Sequence, residues 1–196
     1  MTNKTIEELL NETIETTEAK ENQVDDTQAD NIQENEIVEN SVSETNDVIE
    51  LLKKSLNIHW QQTTVLTAQA AHLDRWGYKK LAAIIKADAE QEHEHSLENI
   101  KRLEFFDVDY QPLVISPPSW TRHDMMSILR YNLDSVREAA AAEKATIVAA
   151  RAVGDELTAN IMIPLLQGSE DGISLYEGFL KMIEQMGLDN FLSIQV

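Results

Sequence analysis

Apolar residues recur three and four positions apart along four long segments of the chain. This spacing places them on one face of an α-helix, so the pattern predicts four amphipathic helices, over residues 47–75, 78–106, 123–153 and 156–186. Each would be about 45 Å long at the standard rise per residue, which is longer than the usual globular helix. In the last helix the predicted inward stripe comprises Ile161, Leu165, Gly168, Gly172, Leu175, Phe179, Met182 and Met186.

The connections predict how these helices pack. Trp76-Gly77 and Gly154-Asp155 are tight stops, which make one antiparallel hairpin of the first two helices and another of the last two. Residues 107–122 between the hairpins contain three prolines and are long enough to travel the length of a bundle. Two hairpins joined by one long crossover predict an all-α, ferritin-like four-helix bundle. Residues 188–192 are expected to form a short fifth helix.

Charge divides the chain into two parts. The formal net charge is -19, and the first 46 residues hold 13 acidic residues against 2 lysines. A segment with little apolar surface and high like charge does not offset the entropy of ordering it, so residues 1–45 are predicted to be a disordered acidic tail and residues 46–196 the bundle. Thr5-Ile6-Glu7-Glu8 is a capping-box pattern, which indicates either a short helix that docks on a protein partner or a transient turn in a solvated tail.

The composition excludes several classes of function. The chain has no cysteine, which excludes disulfides, thiolate metal sites and cysteine nucleophiles. No apolar run approaches the roughly 20 residues of a membrane helix, and the N-terminal residues do not lead into a signal-peptide core. The acidic balance argues against nucleic acid, because phosphate binding requires a surplus of Lys and Arg. We therefore expect a cytoplasmic protein that binds neither membranes nor nucleic acid.

Polar residues on the inward stripes carry the candidate chemistry. His59 lies on the first helix, and Asp88, Glu92 and His95 lie on the second. Glu92 and His95 are three residues apart and share one side of the helix, in the Glu-x-x-His spacing from which di-iron carboxylate sites are built. Burying such groups is costly unless they are paired or bound to a metal. The pattern therefore predicts either a site for iron, manganese or zinc, or a buried salt bridge.

Two stretches of the sequence resemble the bacterioferritins. The first is Arg75-Trp76-Gly77-Tyr78-Lys79-Lys80-Leu81 together with Glu92-His93-Glu94-His95, and the second runs from Met182 to Leu192. The resemblance covers residues 47–196 and leaves out the tail. It implies iron storage, a di-iron ferroxidase centre inside each bundle, cages of many subunits, and haem at dimer interfaces.

Only part of the ligand set that the resemblance implies is present in this chain. The Glu-x-x-His of the family falls on Glu92 and His95, and its first-helix glutamate falls on His59, which is a different but competent ligand. Its third-helix glutamate falls on Val136, which cannot bind a metal. We therefore expect one metal site formed by His59, Glu92 and His95, an arrangement that also resembles three-ligand zinc sites.

The fourth helix and the haem position depart further from the family. The fourth-helix glutamate and histidine fall on Ser169 and Gly172, where at best a hydroxyl remains. The haem methionine falls on His93, which is either a haem ligand or a solvated or interface histidine.

Asp88, Glu143 and Glu170 are further candidate ligands. Glu143 lies on the inward stripe of the third helix, but it is seven residues from Val136, or about 10 Å along the axis, and so is not expected to share a site with Glu92.

The fourth helix offers two alternatives. Glu170 or Asp171 would turn inward if Pro164 distorted the helix and inserted a residue into one turn. Otherwise Gly168 and Gly172 make room for a bulky side chain opposite, such as one of the two inward histidines.

These observations leave three hypotheses of function. The first is an iron-storage or iron-binding protein of the bacterioferritin kind with an incomplete di-iron site, in which retention of ferroxidase activity is undecided. The second is a non-catalytic cage subunit that forms homo-oligomers or assembles with a competent ferritin-type subunit. The third is an adaptor whose acidic tail binds a protein partner. A DNA-protecting role is disfavoured by the acidic balance.

Overall fold

Four long helices and one short helix make up the fold. The computed structural model describes residues 44–110 and 124–196. The long helices are α1 (44–76), α2 (Lys79–Phe105), α3 (Met125–Ala152) and α4 (Glu156–Met186), and the short one is α5 (Leu188–Ser193). Strands are absent from these two ranges. The prediction of an all-α bundle with a short fifth helix is thus confirmed.

Both hairpins turn at a glycine in the left-handed region. Gly77 follows α1 with a φ of 94°, and Gly154 follows α3 with a φ of 74°. At the first turn the amides of Gly77 and Tyr78 donate to carbonyls in the last turn of α1, both at 3.0 Å. Gly154 and Asp155 repeat this pattern at the end of α3, at 3.1 and 2.8 Å. These are Schellman motifs, which satisfy the last carbonyls of a helix and require a residue that tolerates positive φ.

Asp155 connects the start of α4 to the end of α2 through hydrogen bonds. Its carboxylate caps α4 by accepting a hydrogen bond from the Thr158 amide at 3.0 Å. Nη2 of Arg102 donates to both oxygens of the same carboxylate, at 2.7 and 2.8 Å, and the guanidinium packs on the rings of Phe105 and Phe106. Burial alone would raise the pKa of Asp155, but the hydrogen bonds from Arg102 and Thr158 outweigh it and lower that pKa.

Buried apolar side chains form two clusters, and a polar layer separates them. One cluster includes Leu73 and Leu81 beside the α1–α2 turn, and the other includes Ala150 and Ala159 beside the α3–α4 turn. On every long helix, buried polar residues lie between the stretches that contribute to the two clusters. The layer consists of His59 on α1, Glu92 and His95 on α2, Glu143 on α3 and Ser169 on α4.

The buried stripe of α4 differs in part from the predicted one. Leu165, Gly172 and Phe179 are buried as predicted, but Met186 is exposed. The remaining buried positions lie one residue later than predicted: Met162, Ser169, Tyr176 and Ile183 replace Ile161, Gly168, Leu175 and Met182. Apolar residues occupy both neighbouring columns of this helix, so spacing alone does not decide which column faces inward.

The predicted fifth helix closes one end of the bundle. The ring of Phe191 on α5 is fully buried, and its centroid lies 5.7 Å from that of Phe179 on α4. α5 follows Gly187, which has a φ of 82° and ends α4. The C-terminal residues therefore complete the apolar cluster beside the α1–α2 turn.

Three predictions concern residues that lie mostly outside the described ranges. The acidic tail of residues 1–45 lies outside them except for its last two residues, and so does most of the crossover of residues 107–122. The disorder of the tail, its docking helix and the path of the crossover therefore stay predictions. Within the described ranges, the helices are all too polar or too short to span a bilayer.

Candidate metal centre

His59 lies at the centre of the polar layer, between two carboxylates. Its Nδ1 is 2.6 Å from Glu92 Oε2 on α2, and its Nε2 is 3.2 Å from Glu143 Oε1 on α3. All three side chains are almost completely buried. Burial alone would lower the pKa of His59, but the Glu143 and Glu92 carboxylates outweigh it and raise that pKa to about 9.

Glu92 contacts both histidines through a single oxygen. Its Oε2 is paired with His59 Nδ1 and lies 3.5 Å from His95 Nδ1. The two imidazole rings meet edge to face, with centroids 5.1 Å apart. Burial would raise the pKa of Glu92, but the contacts with His59 and His95 lower it to about 2, so the carboxylate is ionised at neutral pH.

His59, His95 and Glu143 bring potential metal-ligating atoms within 4.8 Å of one another. Glu143 Oε2 is buried and has no hydrogen-bond partner among the described residues, and two further contacts in the cluster are long: His59 Nε2 lies 3.2 Å from Glu143 Oε1, and His95 Nδ1 lies 3.5 Å from Glu92 Oε2. Buried polar atoms without partners are rare in proteins, because their desolvation is not compensated. Imidazole nitrogens and a carboxylate are also the donors that iron, manganese and zinc accept. These residues therefore fit a divalent transition metal.

The expectation that Glu143 lies too far from this level is wrong. Glu143 contacts the ring of His59, whose other nitrogen is bound by Glu92. The expectation used Val136 as the level of the site on α3, but Val136 belongs to the apolar cluster beside the α1–α2 turn. Glu143 lies two turns further along α3, between Val136 and Ile147 of the other cluster, and so reaches the polar layer.

Helix α4 contributes a hydroxyl and a close approach of its backbone. Ser169 is fully buried, and its Oγ donates to Glu143 Oε1 at 3.1 Å. A Cβ placed on Gly168 would lie 2.8 Å from His95 Cε1 and 3.1 Å from its Nε2, so only glycine lets this ring pack against the helix. The expectation that Gly168 makes room for a histidine is therefore confirmed. Gly172 instead packs against Val136.

Asp88 lies one turn before Glu92 and outside the cluster. Its carboxylate accepts a hydrogen bond from the buried hydroxyl of Tyr176 on α4. Burial raises the pKa of Asp88 to about 6, although the hydrogen bond from Tyr176 opposes this. Burial and the charge of Asp88 raise the pKa of Tyr176 well above its ordinary value. Tyr176 was not foreseen, because the predicted stripe of α4 ran through the neighbouring column.

Two other candidates lie on the outer surface. Glu170, a further candidate ligand, is exposed and its carboxylate is 2.9 Å from Lys144 Nζ. α4 continues as a helix through Pro164 and Asp171 is also exposed, so the alternative in which Pro164 distorts the helix and turns either carboxylate inward is wrong. His93 is exposed on α2 and does not belong to the buried cluster; its role as a haem ligand stays a prediction.

Comparison with known proteins agrees with this architecture. No curated protein matches the chain significantly. A family model described as a ferritin-like domain matches residues 49–186, which is more than half of the chain. This range holds α2, α3 and α4, all of α1 except its first five residues, and all five residues of the polar layer. The chain therefore belongs to the ferritin-like domain family.

Proposed function

We propose that this chain is a bacterioferritin-like iron-binding protein that holds iron in the buried layer of His59, Glu92, His95 and Glu143. The observation that carries the proposal is the convergence of buried imidazole and carboxylate donor atoms of His59, His95 and Glu143 within 4.8 Å of one another. A cation bound by them would compensate the desolvation that their burial costs. The donor types alone fit several divalent metals, and membership of the ferritin-like family favours iron.

We expect one iron ion in each chain. Oxidation of ferrous iron at a di-iron centre requires two metals about 3.5–4 Å apart, held by carboxylates from several helices. Val136, Ser169 and Gly172 occupy the positions where the bacterioferritin resemblance implies the third- and fourth-helix ligands. Among the described residues, a single group of three or more candidate ligands converges. We therefore expect slow oxidation of ferrous iron by this chain alone.

A second candidate is a structural subunit in which the layer needs no metal. The raised pKa of His59 favours it, because a protonated ring between Glu92 and Glu143 forms a buried ion triad. Such a triad specifies how the helices meet without adding much stability. In this case the chain would assemble with itself or with a competent ferritin-type subunit, through exposed apolar side chains such as Val148 and Leu157.

Ferrous ion binding under anaerobic conditions distinguishes the two candidates. We would measure bound iron per chain by equilibrium dialysis for the wild type, His95→Ala and His93→Ala. The two variants carry the same substitution two residues apart on α2, and only His95 is buried in the layer. We expect one iron per chain, a loss of affinity of at least tenfold in His95→Ala, and no change in His93→Ala.

Other outcomes reject parts of the proposal. A folded wild type that binds no ferrous ion would favour the structural subunit. Two irons per chain with rapid oxidation in air would contradict the single site. Native mass spectrometry of the same samples measures the size of the oligomer, which tests assembly independently of metal binding.

A further inference from the structure

We infer that His59, His95 and Glu143 bind the metal directly, and that Glu92 is a positioning residue that orients the two imidazole rings. This inference rests on the proposed function, because it assigns the ligands of the same site. It departs from the bacterioferritin resemblance, which marks Glu92 as a ligand and Val136 as the position on α3. The third ligand is instead a carboxylate two turns further along that helix.

The distance between His59 and Glu143 suits two ligands of one ion. Ligand atoms bound at about 2.1 Å lie roughly 3 to 3.5 Å from their neighbours around a metal. His59 Nε2 and Glu143 Oε1 are 3.2 Å apart. His95 completes a group whose donor atoms all lie within 4.8 Å, so a small inward movement would bring all three to bonding distance.

Glu92 lies on the wrong side of His59 to share that ion. It is hydrogen-bonded to Nδ1 at 2.6 Å, whereas Glu143 faces Nε2. The two nitrogens of an imidazole ring point in divergent directions, so a carboxylate paired with one does not reach a metal on the other. A hydrogen bond at one ring nitrogen also determines which nitrogen is available to a metal. The Glu92 contact therefore leaves Nε2 of His59 for the ion.

Glu143 has an orienting partner of its own. Ser169 donates to Oε1, while Oε2 is buried and has no hydrogen-bond partner within the described ranges. This hydrogen bond fixes the orientation of the carboxylate, and Oε1, which faces His59 Nε2, keeps a second lone pair for the ion. The pairs Glu92–His59 and Ser169–Glu143 follow the usual plan of metal sites, in which outer residues fix the orientation of the ligands.

Two histidines and one carboxylate define the class of ion. This donor set with open coordination positions is found in mononuclear ferrous sites, and the same donors occur in zinc sites that keep one open position. The shared chemistry is a single divalent first-row cation, and competition between Fe²⁺ and Zn²⁺ in the test distinguishes the two.

The test compares glutamine with alanine at both carboxylates. A glutamine at position 92 still offers an amide oxygen to His59 Nδ1, whereas an amide is a poor metal ligand. We would titrate the wild type, Glu92→Gln, Glu92→Ala, Glu143→Gln and Glu143→Ala with Fe²⁺ anaerobically and with Zn²⁺, and follow Co²⁺ absorption as a measure of ligand number. Glu170→Gln, on the exposed face of α4, is the matched control. Circular dichroism checks that each variant is folded.

We expect the two carboxylates to behave differently. Glu143→Gln and Glu143→Ala should both lose at least 100-fold in affinity, and the Co²⁺ spectrum should indicate one ligand fewer. Glu92→Ala should lose about 10- to 100-fold, as outer residues typically do, while Glu92→Gln should stay within about tenfold of the wild type with an unchanged spectrum. Ser169→Ala should weaken binding by a smaller factor.

The assignment and the proposed function fail in different ways. If Glu92→Gln lost as much affinity as Glu143→Gln and changed the Co²⁺ spectrum, Glu92 would be a ligand and the inference would be rejected while metal binding stood. Normal binding by both Glu143 variants would reject it as well. A folded wild type that bound none of the three ions would reject the proposed function and the ligand assignment together.

Discussion

The close approach of α4 to His95 makes Gly168→Ala the most informative single substitution in this protein. The new Cβ would lie 2.8 Å from His95 Cε1, whereas ordinary contacts begin near 3.4 Å, so the ring has to retreat by about 0.6 Å. The same Cβ would also meet the amide of Gln91, but that side chain is exposed and can swing away. The His95 ring is buried and already in contact with His59, so it has little room to move.

A displacement of this size matters because metal ligands tolerate only about 0.2 Å. We expect Gly168→Ala to weaken ferrous or zinc binding by about 10- to 100-fold, the range found when the residues that orient a ligand are altered. Its effect on stability should be small. Alanine gains about 1 kcal/mol over glycine in a helix, and overpacking costs about 1–3 kcal/mol, so the two effects partly cancel.

Two other glycines of α4 provide matched controls for the same substitution. At Gly178 an added Cβ meets no described atom within 4 Å, so Gly178→Ala should raise stability slightly and leave metal affinity unchanged. At Gly172 the Cβ would lie 3.2 Å from Cγ1 of Val136, which is not a ligand, so stability should change without a change in affinity. Metal titration and urea unfolding of the three variants separate the two effects.

The result that would refute this reasoning is equal metal affinity in Gly168→Ala and Gly178→Ala. A second measurement does not depend on the metal. The imidazole resonances of His95 in the NMR spectrum of the protein without added metal should shift in Gly168→Ala and not in Gly178→Ala. An unchanged His95 environment would mean that the backbone of α4, rather than the ring, gives way.

Three further predictions concern the residues that hold the helices together. Asp155→Asn should lower the free energy of unfolding at pH 7 by about 2 kcal/mol, because Arg102 loses a charged acceptor. Folding lowers the pKa of Asp155, so this difference in unfolding free energy should be present above about pH 4 and shrink as the pH falls through the pKa of the folded state. Urea unfolding at pH 7 and pH 3 measures the difference, and an equal difference at pH 3 would contradict the prediction. Asp88 has a pKa of about 6 in the folded state, above its value in the unfolded chain, so its ionised form destabilises the fold. Asp88→Asn should therefore be about 1–2 kcal/mol more stable than the wild type at pH 7, and this gain should vanish towards pH 4. A gain that does not change with pH would show that it does not come from the charge of Asp88. Gln69 and Asn132 exchange two hydrogen bonds in the core, so Gln69→Ala should lower the free energy of unfolding, measured by thermal unfolding, by about 2–3 kcal/mol. If the losses of the two single alanine variants simply added up in the double variant, the two amides would not be coupled.

The helices and turns could be predicted from the sequence because their causes are local. A spacing of three and four between apolar residues can be recognised within a single segment of the sequence. Each hairpin turn likewise requires only a glycine that adopts positive φ. Gly77 and Gly154 do so. Pairing of Glu92 and His95 on one face of α2 follows from their spacing alone, and the structure places both in the buried layer.

What could not be predicted depends on how helices that are distant in sequence align. Packing across the bundle determines how far α3 is shifted along its axis relative to α1. The inward stripe of α3 contains both Val136 and Glu143, so the sequence alone does not decide which of them faces His59. Transferring the family's position chose Val136, which packs against Gly172 in the apolar cluster. A similar ambiguity in α4 concealed Tyr176, because a single step between neighbouring columns changes which side chains face inward.

A buried atom without a partner separates the two candidate functions more sharply than the composition of the polar layer does. A buried ion triad and a metal site would both place His59 between two carboxylates, and both would be enclosed by apolar clusters. A triad that served only to align the helices would satisfy its own donors and acceptors, since each unpaired buried atom costs about 1–3 kcal/mol. Here Glu143 Oε2 is buried without such a partner among the described residues. A bound cation would supply the partner that a self-contained triad of His59, Glu92 and Glu143 leaves out.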